Sequence, residues 1–394
     1  MTDLLRCALP RTPDPALAEA ARRPFIADHV LQALAAARQE PSHATPNLAR
    51  WLRQTRRLGS RDRRTVSEGV HGIIRHEALL LRAGARSDPD LVRMWADLID
   101  GARFEQMTPA SPAEDLSSAL ALPLTVASEW LECLGAEEAA AMGQTQAGRA
   151  PVTVRANRLR CTRETLAERL VEEGIRTQPA LGTADGLDLL DRTNVQALPS
   201  FKEGWFEIQD ASSQRAVSAL GNVEGLDVLD LCAGAGGKSL ALAAAGARVR
   251  ATDPRSTALR ELERRAKRAG AEIPLGDPEP ADIVFVDAPC SGLGRLWRTP
   301  AIRWSYQPGM YVGLQDEILE AAVDLVRPGG RLIYATCTLL SAENDHPLPE
   351  GWTSVERQTL WPHRDGTDGF FWEIWRLDPR GEDTPGSGGR PQAH

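Results

Sequence analysis

Six cysteines occur in this chain of 394 residues: Cys7, Cys133, Cys161, Cys232, Cys290 and Cys337. A lone cysteine is more often a buried small hydrophobe than a reagent, so only local context can promote one to chemistry. Two contexts do. Cys290 stands in Asp287-Ala-Pro-Cys-Ser-Gly-Leu-Gly294 and Cys337 in Ala335-Thr-Cys-Thr338, each directly after an apolar, strand-like run. A thiolate there would serve as a nucleophile, provided the site lowers a thiol pKa of about 8.5. No C-x-x-C pair occurs, which argues against zinc and structural disulfides, so no metal is expected. A third segment, Asp230-Leu-Cys-Ala-Gly-Ala-Gly-Gly-Lys-Ser239, has glycines at 234, 236 and 237 that allow close backbone approach to a ligand. Asp253 follows Gly234 by 19 residues, the place for a carboxylate that takes ribose hydroxyls. Lys238 is one of only three lysines, with Lys202 and Lys267, in a chain that otherwise draws its positive charge from arginine.

Alternating strands and helices must position these residues. Leu226–Leu231, Arg248–Thr252, Asp282–Asp287 and Arg331–Thr336 read as strands. Between them, Lys238–Ala245, Ser256–Ala269 and Leu314–Val326 read as helices. Such alternation predicts an α/β domain with a mostly parallel, doubly wound sheet covered on both faces. Both cysteines and the glycine loop then fall at carboxyl ends of strands, on the rim where open sheets bind ligands. The loop by itself suits a dinucleotide or S-adenosylmethionine, although Ser239 stands where G-x-G-x-x-G needs its third glycine.

Upstream, Ala27–Ala37 and Val66–Leu81 carry apolar residues at helical spacing, and residues 1–145 read as an all-α domain. Within it, Arg50–Arg64 holds seven arginines against the single acid Asp62. Such a run is either a solvated helix face or a phosphate-binding patch. Thr108–Asp115 reads as a break. Residues 146–205, with a strand at Val152–Asn157 and a helix at Thr165–Gly174, form a small α+β module. The α/β domain spans 206–380, and the Gly- and Pro-rich tail 381–394 is expected to be disordered. The net charge of -8 gives no overall sign of nucleic-acid binding. No apolar run is long enough to span a bilayer and no cleavable leader is evident, so a cytoplasmic, monomeric protein without membrane partners is expected.

The motifs around Cys290, Cys337 and the glycine loop, with Arg155-Ala-Asn157, Gln209-Asp-Ala-Ser-Ser213 and Gly366-Thr-Asp-Gly-Phe-Phe371, resemble the bacterial Fmu/Sun and eukaryotic Nop2/Sun family of RNA 5-methylcytosine methyltransferases. Gly59-Ser-Arg-Asp-Arg-Arg64 and Val70-His-Gly-Ile-Ile-Arg75 are similar to the NusB-like helical domain of bacterial members. The resemblance implies a Rossmann-like class I methyltransferase domain, S-adenosylmethionine as cofactor and RNA, in particular ribosomal RNA, as partner. It implies that Cys337 adds to cytosine C6 and that Cys290 assists release, with Lys238 and Asp287 serving the base. Cys232, Ala233, Gly234, Ala235, Gly236, Gly237 and Lys238 would wrap the cofactor. Asp253 would hold its ribose, Asp277 its adenine amine, and Asp287 would lie between cofactor and cytosine. Arg57, Arg61, Arg64, Arg295, Arg298 and Arg303 would contact RNA.

The chain departs from the family pattern in two places. Ala235 replaces a usual proline, and the interval from Asp277 to Asp287 is shortened. Two other functions remain open: a non-catalytic RNA-binding assembly factor on the same fold, and a nicotinamide-dependent oxidoreductase.

Overall fold

Prolines and short polar side chains start the helices of the N-terminal part. Pro15 and Pro24 open helices Pro15–Arg22 and Pro24–Arg38, where a missing N–H costs nothing. Ser87 caps Asp88–Ile99. The expected break near 108–115 ends at a helix start, where Ser111 and Glu114 exchange hydrogen bonds in a capping box ahead of Pro112–Leu120. The long helix Ser60–Arg82 and the segment Leu124–Ala147, whose helix breaks at Gly135 (φ 75°), complete this all-α region. These assignments come from a computed structural model that describes residues 2–10, 12–104, 107–108, 110–347 and 350–378. The tail at 381–394 lies outside the described residues.

The small module is a four-stranded antiparallel sheet: β1 (Val152–Ala156), β2 (Thr177–Pro179), β3 (Gly186–Leu189) and β4 (Phe206–Ile208), in the order β2-β3-β1-β4. Helix Arg163–Glu172 connects β1 to β2, and the short helix Pro199–Lys202 precedes β4. That is a βαββαβ arrangement with a reduced second helix. Its last strand reaches Ile208 and pairs with β1, so residues 206–208 extend this sheet rather than the larger one.

The main sheet has six strands: β5 (Asp227–Asp230), β6 (Arg248–Ala251), β7 (Ala281–Asp287), β8 (Val326–Thr336), β9 (Trp352–Leu360) and β10 (Phe370–Leu377), in the order β6-β5-β7-β8-β10-β9. The pairs β5–β6, β5–β7 and β7–β8 are parallel, as their helical crossovers require. β10 enters antiparallel beside β8, and β9 closes that edge. This is the expected Rossmann-like methyltransferase sheet. Beyond β6 the sheet stops. Where the sequence is shortened, the chain makes a single parallel bridge, Ala251 to Leu275, in place of another strand.

The helical and α/β parts share buried surface. Leu293, Leu296, Ala301, Leu339 and Leu340, from the segments after the two cysteines, are buried in one cluster with the helical-domain side chains Leu79, Leu80, Leu120 and Trp130.

Candidate active site

β5 ends at Asp230, and the chain turns through the glycine loop into helix Gly237–Ala244. Gly236 sits at φ +80°, and a Cβ there would lie 2.5 Å from Leu262 Cγ, so both conformation and space demand glycine. Asp230 is fully buried. Its Oδ2 accepts from Ser239 Oγ at 2.6 Å, while Oδ1 has no hydrogen-bond partner. Burial pushes this carboxyl up to about 7, against the Ser239 bond, with the nearby Asp287 charge adding to the rise. Across the loop Asp253 accepts from Gly234 N–H at 2.9 Å and from the backbone and guanidinium of Arg255. Burial raises its pKa, but the Arg255 guanidinium and the two backbone donors more than offset this, and it lies below the usual carboxylate range. A glycine cradle, an ionised acid beside it and an orphaned carboxylate oxygen behind it fit a nucleoside ligand with a hydroxylated sugar and a polar tail.

The two cysteines meet at the next strand ends. β7 delivers Asp287 and then Cys290, and β8 delivers Cys337. Their sulfurs are 3.3 Å apart. A hydrogen bond from Cys290 lowers the Cys337 pKa and prevails over burial, and the positive charge of Arg295 acts in the same direction. Cys290 is pushed well above an ordinary thiol, first by its hydrogen bond with Cys337 and then by burial. Of the two, Cys337 is therefore the readier to ionise, with Cys290 as the S–H donor. Lys238 Nζ binds Asp287 Oδ2 at 2.6 Å and lies 5.1 Å from the Phe370 ring centroid. The fold thus brings two thiols, a lysine–carboxylate pair and a glycine loop to one rim.

Family matches cover both folded units of the C-terminal two thirds. Residues 217–350 match the family described as 16S rRNA methyltransferase RsmB/F, and residues 122–196 match the RsmF/B-like ferredoxin-like domain. Residues 217–350 are thus similar to the RsmB/F methyltransferases. A curated relative, ribosomal RNA small subunit methyltransferase B of Pectobacterium carotovorum, is 34% identical over 253 residues, 57% of this chain and 59% of its own. A probable ribosomal RNA small subunit methyltransferase B of Synechocystis is 33% identical over 259 residues, 55% of this chain and 58% of its own. The match thus spans under two thirds of these relatives' length. A methyltransferase homologue protein from Pyrococcus horikoshii, known as a crystal structure, superposes with a TM-score of 0.57 at 25% identity over 68% of this chain and 99% of its own. Another solved structure covers 88% of this chain and 98% of its own with a TM-score of 0.71 at 21% identity, a likeness of fold.

Several of the motifs singled out in the sequence prove to be scaffolding. Arg155 Nε donates to Gln209 Oε1 at 2.6 Å, and Gln209 reaches the Gly237 carbonyl at 3.2 Å, tying the ferredoxin-like sheet to the glycine loop. Gly294 N–H donates to the Cys337 carbonyl at 3.0 Å, and Gly369 N–H to Gly294 at 2.8 Å, so the segment around Gly369 holds the Cys290 loop. A Cβ on Gly294 would lie 2.0 Å from the Gly369 carbonyl oxygen.

Two of the arginines expected at RNA are corrected by their surroundings. Arg298 spends its guanidinium on Asp210, Asp368 and the Pro151 carbonyl. Arg303 is buried against the carbonyls of Leu120, Leu296 and Pro300, and burial lowers its pKa to about 9. Both guanidiniums are spent on partners within the protein. Arg295 is exposed, beside Cys337. In the arginine run, Arg63 turns inward onto Leu58 and Thr55 carbonyls. Arg57, Arg61 and Arg64, together with Arg53 and Arg56, are exposed, and among the described residues their guanidiniums make no salt bridge. Cys232 is pushed up to about 12, by burial and then by Asp230, and is an unreactive thiol of the loop. Ala233 is buried, and Ala235 accepts from Arg265 at 2.8 Å through its carbonyl. Asp277 is exposed and has no hydrogen-bond partner among the described residues.

Sequence reasoning missed Glu343. It is buried, and its carboxylate accepts from Ser291 N–H at 2.8 Å, Gln315 at 3.2 Å and the Thr338 hydroxyl at 3.4 Å. It therefore links the residue after Cys290 to the residue after Cys337. An acid six residues past Cys337, in an otherwise small and apolar stretch, was the available signal.

Proposed function

We propose that this chain methylates C5 of cytosine in RNA, ribosomal RNA in the first instance, with S-adenosylmethionine as the methyl donor. The observation that carries the reading is the Cys290–Cys337 pair, 3.3 Å between sulfurs, on the same rim as the glycine loop and the Lys238–Asp287 pair. Cytosine C5 is a weak nucleophile, so a thiolate must first add to C6. Cys337 is the readier of the two to ionise and takes that role. When bound, the cofactor supplies an electrophilic methyl group. Residues 232–238 would hold its amino-acid and ribose parts, with Asp253 on the ribose diol and Asp277 near the adenine.

Asp287, fixed by Lys238, would accept from the cytosine amino group and orient the ring over Cys337. Once C5 is methylated, its proton must leave before the C6–sulfur bond can break. Once addition to C6 has discharged Cys337, Cys290, 3.3 Å away, can release its own proton to solvent; its thiolate would then take the C5 proton as the C6–sulfur bond breaks, returning Cys337 as thiolate and Cys290 as thiol. The target base has to be unstacked to reach this pocket, as chemistry on a base requires. The exposed arginines 53, 56, 57, 61 and 64 of residues 1–145 would hold RNA phosphates, a role also open to Arg295. The names of the relatives, ribosomal RNA small subunit methyltransferases, support ribosomal RNA as the first substrate to examine.

Bisulfite sequencing of total RNA from a deletion strain tests the proposal. A single ribosomal cytosine should lose its methyl and regain it on complementation. An unchanged map of 5-methylcytosine would reject the assignment.

A further inference from the structure

Asp253 is the acid placed for the ribose diol, and its hydrogen-bonding capacity is already full. An ionised carboxylate offers about four lone-pair sites on two oxygens. Here Oδ1 accepts from Arg255 N–H and Arg255 Nε, and Oδ2 from Gly234 N–H and Arg255 Nη2, each at 2.9 Å. The two backbone bonds belong to the turn and fix the carboxylate in place. The other two come from one side chain that is itself 68% exposed, whereas that of Asp253 is 2% exposed. No other acid forms a salt bridge with Arg255 among the described residues. The guanidinium also leans over the glycine loop, with Nη2 3.7 Å from where a Cβ on Gly234 would stand.

We infer that Arg255 competes with the cofactor for Asp253 and thereby sets cofactor affinity. The inference rests on the proposal that a ribose-bearing cofactor occupies this loop. A vicinal diol donates two hydrogen bonds, the same number that the Arg255 side chain contributes. Binding is then an exchange: the guanidinium swings into solvent, where its exposure leaves it free to go, and the diol replaces it on the same two sites. The backbone bonds from Gly234 and Arg255 persist, so the acid does not move. An ion pair with one partner exposed to water can be displaced yet is felt as a penalty on every binding event. A ligand without the diol gains nothing by displacing Arg255 and escapes the competition.

Isothermal titration calorimetry on the full chain tests this with S-adenosylhomocysteine and its 2′,3′-dideoxy analogue, against the natural sequence, Arg255→Gln and Arg255→Lys. Arg255→Gln should bind S-adenosylhomocysteine at least about two- to fivefold more tightly, the range of an exposed ion pair and a floor for one whose acid is buried. Its affinity for the dideoxy analogue should be unchanged. Arg255→Lys, which can supply only a point charge in place of a fork, should fall between. Raising the ionic strength should narrow the gap between the natural chain and Arg255→Gln, because salt weakens the competing pair. Melting curves that match across the three chains would confirm that folding is unaltered. Equal or weaker binding by Arg255→Gln, or an equal gain for both ligands, would overturn the inference while leaving the cofactor assignment standing. Absence of S-adenosylhomocysteine binding by all three chains would overturn that assignment and the inference together.

Discussion

The division of labour proposed for Cys337 and Cys290 follows from their local electrostatics rather than from their order in the chain. A thiolate needs donors and positive charge close by, and Cys337 has the Cys290 S–H and the Arg295 guanidinium. Cys290 has the Cys337 charge against it and the Glu343 carboxylate nearby, so it keeps its proton. Iodoacetamide should therefore modify Cys337 first, with a rate that rises through a midpoint below the ordinary thiol value of 9.0. The sign is fixed: a lowered pKa means that the reactive form is present at lower pH, so reactivity survives acidification further than for a free thiol. Cys290→Ala removes the S–H donor and should move the midpoint upward. Mass mapping of the alkylated residue across pH checks both statements, and preferential labelling of Cys290 would refute them. Both cysteines and Lys238 were legible in the sequence because rare residues in short, distinctive contexts stand out. The true work of Arg298 and Arg303 was hidden, since nothing in a local run of arginines shows which guanidiniums turn inward. Glu343 was hidden for the converse reason, because its partners, Ser291 and Gln315, are remote in sequence.

The glycine loop is a property of strand β5, the helix after it and the helix Ser256–Ala269 that packs beneath. Gly236 is fixed by two independent demands, a left-handed backbone and the contact with Leu262. Gly237, one residue on, has nothing nearer than 4.0 Å to a built Cβ. Gly236→Ala should lower stability by about 1–2 kcal/mol from the backbone alone, more once Leu262 is displaced. Gly237→Ala should stay within about 0.5 kcal/mol, as for a tolerant surface site. Chemical denaturation of the two variants decides, and equal losses would contradict this reading of the loop. The parallel core of the sheet was readable from alternating apolar runs and amphipathic helices. The antiparallel β10 and β9 were not, because β9 is mostly exposed and β10 is apolar on both faces, so neither shows the alternation of a half-buried strand. The short β2 and β3 carry too few residues for a period to register.

At the scale of the whole molecule, the helical domain is part of the support for the reacting groups. Leu293 and Leu296 follow Cys290, Leu339 and Leu340 follow Cys337, and all four are buried among helical-domain side chains. Polar contacts reinforce the seam: Arg303 to the Leu120 carbonyl, Trp304 Nε1 to Glu77 at 2.6 Å, and Ser341 to Glu129 at 2.7 Å. Calorimetry should show the helical and catalytic regions melting in one transition, because a shared apolar core cannot be lost from one side only. Two well-separated transitions would contradict that. This union was not visible in the sequence, where the helical region reads as an independent module. Residues 293–301 and 339–340 carry no mark of which surface will cover them.

The central claim concerns the order in which two sulfurs act, and a covalent trap reads it directly. The natural chain, Cys290→Ala and Cys337→Ala are each incubated with S-adenosylmethionine and small-subunit ribosomal RNA, and protein–RNA adducts are resolved by denaturing electrophoresis and mass spectrometry. Cys290→Ala should accumulate an adduct linked through Cys337, because attack proceeds and release stalls. Cys337→Ala should form none. Adduct formation by Cys337→Ala, or identical behaviour of the two variants, would contradict the account.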